Sequence, residues 1–271
     1  MSNYCEIIIP IQKEALRELI IAGLSEIGFE GFEEADTNLK AYIPEADFSN
    51  DKLNKLLSKH NLTYSKSIIK KQNWNEVWES NFEPVQVEDF VGIRASFHPP
   101  FQNVEHEIVI TPKMSFGTGH HATTYMVMLL MKDLDFKGKS VFDFGTGTGI
   151  LAILAEQLGA VKVLAVDNDD WCIENASENI LVNTCQSIDI EKIDEFKSNQ
   201  TFEIIIANIN RNIILDNLQE IRKALFPGSQ LLLSGLLKAD ETEIIAACGA
   251  LGLHHRKTIE RSGWIALWLF L

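Results

Sequence analysis

Val141-Phe142-Asp143-Phe144-Gly145-Thr146-Gly147-Thr148-Gly149-Ile150 is the stretch on which the reading of the fold turns. Apolar residues run straight into D-x-G-x-G-x-G, and Ile150, Ile153, Leu154 and Leu158 then recur with helical spacing. Glycines belong where the backbone takes unusual angles or approaches a ligand too closely for a Cβ. A strand, a glycine turn and a helix in that order place the turn at the carboxyl end of a strand, where open α/β sheets bind ligands.

Strand and helix patterns alternate outward from this loop. Strands are expected at Ser140 to Phe144, Lys162 to Val166, Ser187 to Ile190, Phe202 to Ala207 and Ser229 to Ser234. Helices are expected near 121–132, 149–158, 170–183, 211–225 and 239–251. The alternation predicts a mostly parallel sheet covered on both faces. Leu253 to Glu260 and Trp264 to Leu271, around Arg261-Ser262-Gly263, read as a hairpin that adds an antiparallel strand.

Residues 1–70 follow a different order. Strand signals at Tyr4 to Ile9, Phe29 to Glu34, Leu39 to Ile43 and Thr63 to Lys70 surround two helices. One helix carries Leu16, Leu19, Ile20, Leu24 and Ile27 on its inward face and stops at Gly28; the other spans about Asn50 to Lys59, with Leu53, Leu56 and Leu57 inward. The order β-α-β-β-α-β predicts a small ferredoxin-like α+β domain. Residues 71–110 read as a linker and β-rich lead-in, with Trp74 and Trp78 spaced to share one side of a short helix. The remainder, 111–271, is the α/β domain.

The chain has 271 residues, 24 Lys+Arg against 38 Asp+Glu, and a net charge of −14. Such acidity disfavours direct nucleic-acid binding, which needs clustered cations, and suits a basic partner. Eight acids between residues 26 and 51 (Glu26, Glu30, Glu33, Glu34, Asp36, Glu45, Asp47, Asp51) face a single Lys40. They read as a solvated face or as a docking surface for such a partner. No apolar run approaches the roughly 18 residues of a membrane span. Four scattered cysteines without a C-x-x-C pair suggest reduced thiols and a cytoplasmic setting. Neither His120-His121 nor His254-His255 has zinc-ligand spacing, so no metal is expected.

Other nucleotide loops fail on spacing. A dinucleotide loop counted from Gly145 needs a glycine at the position of Ile150. A P-loop ending at Gly138-Lys139-Ser140 needs a glycine where Asp133 stands, and that tripeptide precedes a strand. The D-x-G-x-G-x-G form, with Asp143, Gly145 and Gly147, resembles motif I of class I S-adenosylmethionine-dependent methyltransferases. Asp167 ends the second strand, where an acid accepts bonds from ribose hydroxyls. Asn208 follows four apolar residues at another strand end, and its amide offers an acceptor and two donors to an incoming amine. Asn210 is better placed to cap the next helix, and His120 and His121 read as capping or packing residues.

Upstream lies Ile110-Thr111-Pro112-Lys113-Met114-Ser115-Phe116-Gly117-Thr118-Gly119-His120-His121-Ala122-Thr123-Thr124. With the glycine loop and Ala207-Asn208-Ile209, this segment closely resembles the ribosomal protein L-eleven methyltransferase family, over nearly the full length. The resemblance implies a Rossmann-like methyltransferase domain that binds S-adenosylmethionine through Thr124, Gly145, Asp167 and Asn208. It implies an N-terminal domain that recognises the basic ribosomal protein, and methylation of lysine ε-amines and the N-terminal α-amine. Phe116 and its glycine-flanked loop would cover the methionine end and move with substrate entry. Asn208 would orient the amine, and a monomer suffices. Two departures stand out: Lys113 where the family usually has Gly, and Asn208-Ile209-Asn210 where Asn-Ile-Leu is more usual. A class I methyltransferase with another protein or RNA acceptor is the main alternative; a non-catalytic module and a nicotinamide dehydrogenase are more distant ones.

Overall fold

The computed structural model describes residues 4–35, 37–69, 82–113, 117–194, 196–197 and 200–271. The chain divides into two compact units, residues 1–77 and 78–271. The Trp74–Trp78 pair and Lys70 lie outside the described residues.

In the N-terminal unit the elements are β1 (Tyr4–Pro10), α1 (Glu14–Glu26), β2 (Gly31–Glu34), β3 (Asn38–Pro44), α2 (Asn50–Leu57) and β4 (Ser65–Ile69). The sheet runs β2-β3-β1-β4 with every neighbouring pair antiparallel. Strict alternation buries Cys5, Ile7 and Ile9 of β1 and Leu39, Ala41 and Ile43 of β3 on one face. Ile20, Leu24, Leu53 and Leu57 close that face from the helices. Each such Ile or Leu contributes roughly 1.5–3 kcal/mol of burial. Leu19 departs from expectation. It is 54% exposed, because α1 meets the core along the stripe centred on Ile20 and Leu24, and its neighbour in sequence points a quarter-turn away.

The C-terminal unit opens with β5 (Val85–Val87), β6 (Val91–Ala95) and β7 (His106–Ile110), a three-stranded sheet in which β6 and β7 are parallel. Then come α3 (Ala122–Lys132), β8 (Ser140–Phe144), α4 (Ile150–Gln157), β9 (Lys162–Asp167), α5 (Asp170–Val182), β10 (Ile188–Lys192), β11 (Phe202–Asn208), α6 (Arg211–Lys223), β12 (Leu225–Leu237), α7 (Glu241–Ala250), β13 (His254–Arg261) and β14 (Trp264–Phe270). The main sheet runs β10-β9-β8-β11-β12-β14-β13. Its first five strands are parallel, and β14 is antiparallel to both neighbours.

Successive side chains take opposite faces of this sheet. Val141, Ile204 and Ile206 pack with Met126 and Leu130 of α3 and Leu151 and Leu154 of α4. Phe142, Ile205 and Ala207 pack with Ile214 and Leu218 of α6 and Ile244 of α7. The first core also takes in Val91, Ile93, Ile108 and Ile110. The strands of the lead-in are therefore packed into the α/β unit rather than spaced away from it. Strand β12 is longer than its Ser229 to Ser234 pattern because it bends through a bulge between Ser234 and Leu236. Among the described residues no helix is long and apolar enough to cross a membrane.

Strand β8 lies between β9 and β11, so the connections leaving β8 and β11 diverge. That divergence opens a crevice at the carboxyl ends of the parallel strands.

Candidate functional site

A cavity of about 640 Å³ occupies this crevice, within the range of roughly 300–1,000 Å³ that holds a small ligand. Gly145 and Gly147 come to it from β8, Asp167 from β9 and Asn208 from β11, so four of the residues singled out by sequence meet on one wall. Phe144, Ile193 and Phe196 supply apolar lining on the β8–β10 side. Ile209, Gly235, Trp264 and His121 line the side formed by β11, β12 and β14.

The glycine loop is built from left-handed residues. Gly145, Gly147 and Gly149 have φ of 79°, 56° and 81°. The amides of Gly145 and Thr146 both donate to the Val166 carbonyl at 2.9 Å, which fastens the turn to β9. A Cβ on Gly145 would stand 2.2 Å from Ile209 Cγ2, so this turn admits no larger residue without moving the far wall.

Asp167 joins the two strand ends directly. Its Oδ2 accepts from the Gly147 amide at 2.9 Å and its Oδ1 from the Asp169 amide at 3.1 Å. Asp169 caps α5 by accepting from the Trp171 amide at 2.8 Å. A carboxylate held by backbone donors at the cavity wall keeps further lone pairs for hydroxyl donors.

Asn208 is buried, and its Nδ2 donates to Thr124 Oγ1 at 3.2 Å. Its Oδ1 has no hydrogen-bond partner among the described residues. A buried acceptor without a partner is costly, and of the described side chains that carry one, Asn208 is the one that also lines the cavity.

Thr124 and Asp143 do not line the cavity. Thr124 stands behind Asn208, and Asp143 is completely buried beneath the loop, where it accepts from Thr146 Oγ1 at 2.7 Å. Burial pushes the Asp143 carboxyl up to about 7, and the negative charge of Asp167 adds to the rise. Asp143 shapes the glycine turn from below. Phe116 lies outside the described residues.

The glycines that follow it have a geometric role. Gly117 and Gly119 have φ of 97° and 94°, a Cβ on Gly119 would meet Ile93 Cδ1 at 2.5 Å, and the Gly117 carbonyl accepts from Thr148 Oγ1 at 2.7 Å. They fit the segment to its neighbours.

His121 caps α3, with its ring nitrogen accepting from the Thr123 amide, and its ring meets Trp264 edge-on at 4.8 Å. Asn210 caps α6 by accepting from the Ile213 amide at 3.1 Å. Both match the capping roles read from sequence. Cys172 also lines the cavity, but burial, with Asp167 and Asp169 nearby, raises its thiol to about 11 and keeps it from acting as a thiolate at neutral pH. Among the described residues no group of three or more His, Cys, Asp or Glu is placed to hold a metal ion. Gly235, Trp264, Ile193 and Phe196 were not singled out by sequence. Trp264 carried the one available signal, a large aromatic at the start of a terminal hairpin strand.

A family model described as ribosomal protein L11 methyltransferase (PrmA) matches residues 11–269. The chain belongs to the PrmA family. It is 44% identical to the ribosomal protein L11 methyltransferase of Porphyromonas gingivalis over 94% of this chain and 90% of that one. Identity to the protein of the same name from Phocaeicola vulgatus is 39%, over 94% and 93%. The crystal structure of the ribosomal protein L11 methylase of Lactobacillus delbrueckii subsp. bulgaricus aligns with a TM-score of 0.64 at 29% identity, covering 69% of this chain and 98% of that one. The mostly parallel sheet with its antiparallel β14 is thus the class I methyltransferase architecture, and this PrmA-family chain is an S-adenosylmethionine-dependent protein methyltransferase.

In this PrmA-family chain Lys113, the departure from the usual Gly, makes an ion pair with Glu178 of α5 at 2.7 Å. The residues fit the methyl donor. The cavity has the size, an apolar end for a purine, a carboxylate at Asp167 for hydroxyl donors, glycines where a Cβ would intrude, and Asn208 beside them.

Proposed function

We propose that this chain transfers methyl groups to ribosomal protein L11, at lysine ε-amines and the N-terminal α-amine. The cavity wall of Gly145, Gly147 and Asp167 would hold S-adenosylmethionine, with Thr124 and Asp143 supporting Asn208 and the loop, and Phe116 at the methionine end. The observation that carries the reading is the meeting of Gly145, Gly147, Asp167 and Asn208 at one cavity on the carboxyl ends of the parallel strands.

When bound, S-adenosylmethionine supplies an electrophilic methyl group on a sulfonium. The chain's own task is alignment and selection of a neutral nucleophile. A lysine amine has a pKa near 10.4, so only about one in a thousand is neutral at pH 7. Burial in the cavity favours the neutral form by desolvation. Asn208 Oδ1 accepts one amine N–H and so turns the nitrogen lone pair away from itself; Thr124 fixes the amide through Nδ2. No His or Glu base is needed, and His121 stays a cap.

The N-terminal unit is read as the ferredoxin-like recognition module. Its acids would meet a basic protein, an arrangement that raises the encounter rate. Tyr4 donates to Glu30 at 2.5 Å and Lys40 pairs with Glu33 at 3.2 Å, so part of that charge is already engaged. A cytoplasmic monomer without direct nucleic-acid contacts completes the reading. Incubating the chain with labelled S-adenosylmethionine and purified L11, followed by mass mapping, tests it. Label on lysine and N-terminal nitrogens is expected; label on RNA alone, or none, overturns it.

A further inference from the structure

Helix α5 carries asparagines at 175 and 179, and Asn183 caps its C-terminus, one turn apart on one face. Asn175 and Asn179 are fully buried, whereas Leu181 on the same helix is 78% exposed. The inversion has a cause in the sheet beside it. Strand β7 pairs with β6 on one edge, and among the described residues its other edge has no strand partner. The asparagines take the place of that strand. Asn183 accepts from the Val109 amide at 2.9 Å and donates to the Val109 carbonyl at 2.6 Å. Asn179 accepts from the Thr111 amide at 2.8 Å, and Asn175 donates to the Thr111 carbonyl at 3.0 Å.

Asn179 does more than its neighbours. Its Nδ2 donates to the carbonyl of Thr148, inside the glycine loop, at 2.8 Å. Thr148 in turn donates from its hydroxyl to the Gly117 carbonyl. A chain of hydrogen bonds therefore runs Thr111–Asn179–Thr148–Gly117, and it fastens the end of β7 to the glycine loop.

We propose that Asn179 is a positioning residue that couples the end of β7, residues 109–113, to the glycine loop, so that occupancy of the cavity tightens that strand end and loosening it weakens binding. The inference rests on the proposed adenosylmethionine site. It does not require Asn179 to touch a ligand, and Asn179 is absent from the cavity wall. Coupling of this kind is reciprocal: whatever one loop gains from an ordered partner, the other gains equally.

Asn179→Asp keeps the acceptor for Thr111 and removes the donor to Thr148; Asn183→Asp makes the same change at a rung that does not reach the glycine loop. The measurements are the affinity for S-adenosylhomocysteine by calorimetry and hydrogen exchange of residues 109–113 with and without it. The native chain is expected to bind and to gain protection at 109–113. Asn179→Asp is expected to bind about tenfold more weakly, the effect of one lost hydrogen bond, and to lose the ligand-induced protection. Asn183→Asp is expected to melt earlier but keep both. Asn179→Ala, which brings in no charge, should reproduce the Asn179→Asp result and tests the path if Asn179→Asp does not fold. Thr148→Val keeps the carbonyl that Asn179 reaches and loses only the hydroxyl bond to Gly117, so it should keep the ligand-induced protection at 109–113. Native-like binding and protection in Asn179→Asp or Asn179→Ala, or equal loss in Asn183→Asp or Thr148→Val, overturns the coupling alone. A native chain that binds no S-adenosylhomocysteine overturns the site reading and this inference together.

Discussion

Asn208 gives its Nδ2 hydrogen to the Thr124 hydroxyl at 3.2 Å, and the same amide keeps a buried Oδ1 with no partner among the described residues. One half of the side chain is thus fixed by a helix while the other half is reserved. If that half aligns the amine, Asn208→Ala lowers kcat by about 100-fold, the scale of a misplaced reactant. Calorimetric affinity for S-adenosylhomocysteine should change far less. Full turnover with only weakened ligand binding would show that the amide anchors the ligand and orients nothing.

Gly235 and Gly228 make a matched pair on β12. Both have positive φ, 83° and 98°, so alanine strains the backbone at either by about 1–2 kcal/mol. A Cβ at 228 meets nothing within 4 Å, whereas at 235 it would stand 2.2 Å from the Ile209 carbonyl oxygen. Gly228→Ala should lower the melting temperature slightly and leave kcat/KM near native. Gly235→Ala should displace the backbone beside Asn208 and reduce kcat/KM by at least tenfold. Equal activities in the two variants would remove any role for the close approach at Ile209.

Asp143 gives the protein a pH signature. Its carboxyl is pushed up to about 7 in the fold from an ordinary value of 3.8, mainly by burial. The folded state therefore holds the proton more tightly than the unfolded chain. This contribution is fully present below the unfolded value and is lost as pH rises through the folded one. Between pH 4 and 7 the Asp143 contribution should decline, lowering the melting temperature by about 2–4 °C per kcal/mol in a unit of this size. Asp143→Asn, which still accepts from Thr146, should flatten that slope relative to the native chain. An unchanged slope would mean the carboxyl is already ionised throughout.

His121 is within the cavity lining, yet its ring nitrogen is engaged in capping α3. His121→Asn retains a side-chain acceptor suited to an N-cap, and His121→Ala loses about 1 kcal/mol of stability with it. The pH dependence of kcat should be the same in His121→Asn as in the native chain. A change in that pH dependence in His121→Asn would identify it as a proton carrier instead.

The parallel sheet was legible because its strands are short apolar runs bounded by turn residues, and the helices between them keep a 3.6 period. The glycine loop, Asp167 and Asn208 were legible because each closes such a run. What escaped depends on contacts far apart in sequence. A row of asparagines on α5 reads as a wet face, and only the free edge of β7 makes it a dry one. Leu19 reads as core, and only the position of the sheet beneath α1 leaves it outside. Residues 71–110 read as a linker and β-rich lead-in, and only the structure shows Ile93 and Ile108 sharing a core with Met126 and Leu151. Gly235 gives no local sign of Ile209 standing against it.

The β13–β14 hairpin joins the seven-stranded sheet through a single seam, from Gln230–Phe270 to Leu237–Trp264. Because Trp264 sits at the start of β14 and faces the cavity, unzipping that seam would take the indole away while β8 to β12 stay paired. Ile265, Ala266, Leu267 and Leu269 of β14 are fully buried and feed both cores, so that seam opens at a cost close to that of unfolding the whole unit. In denaturant the protein should thus fall catalytically silent together with the melting of its parallel strands.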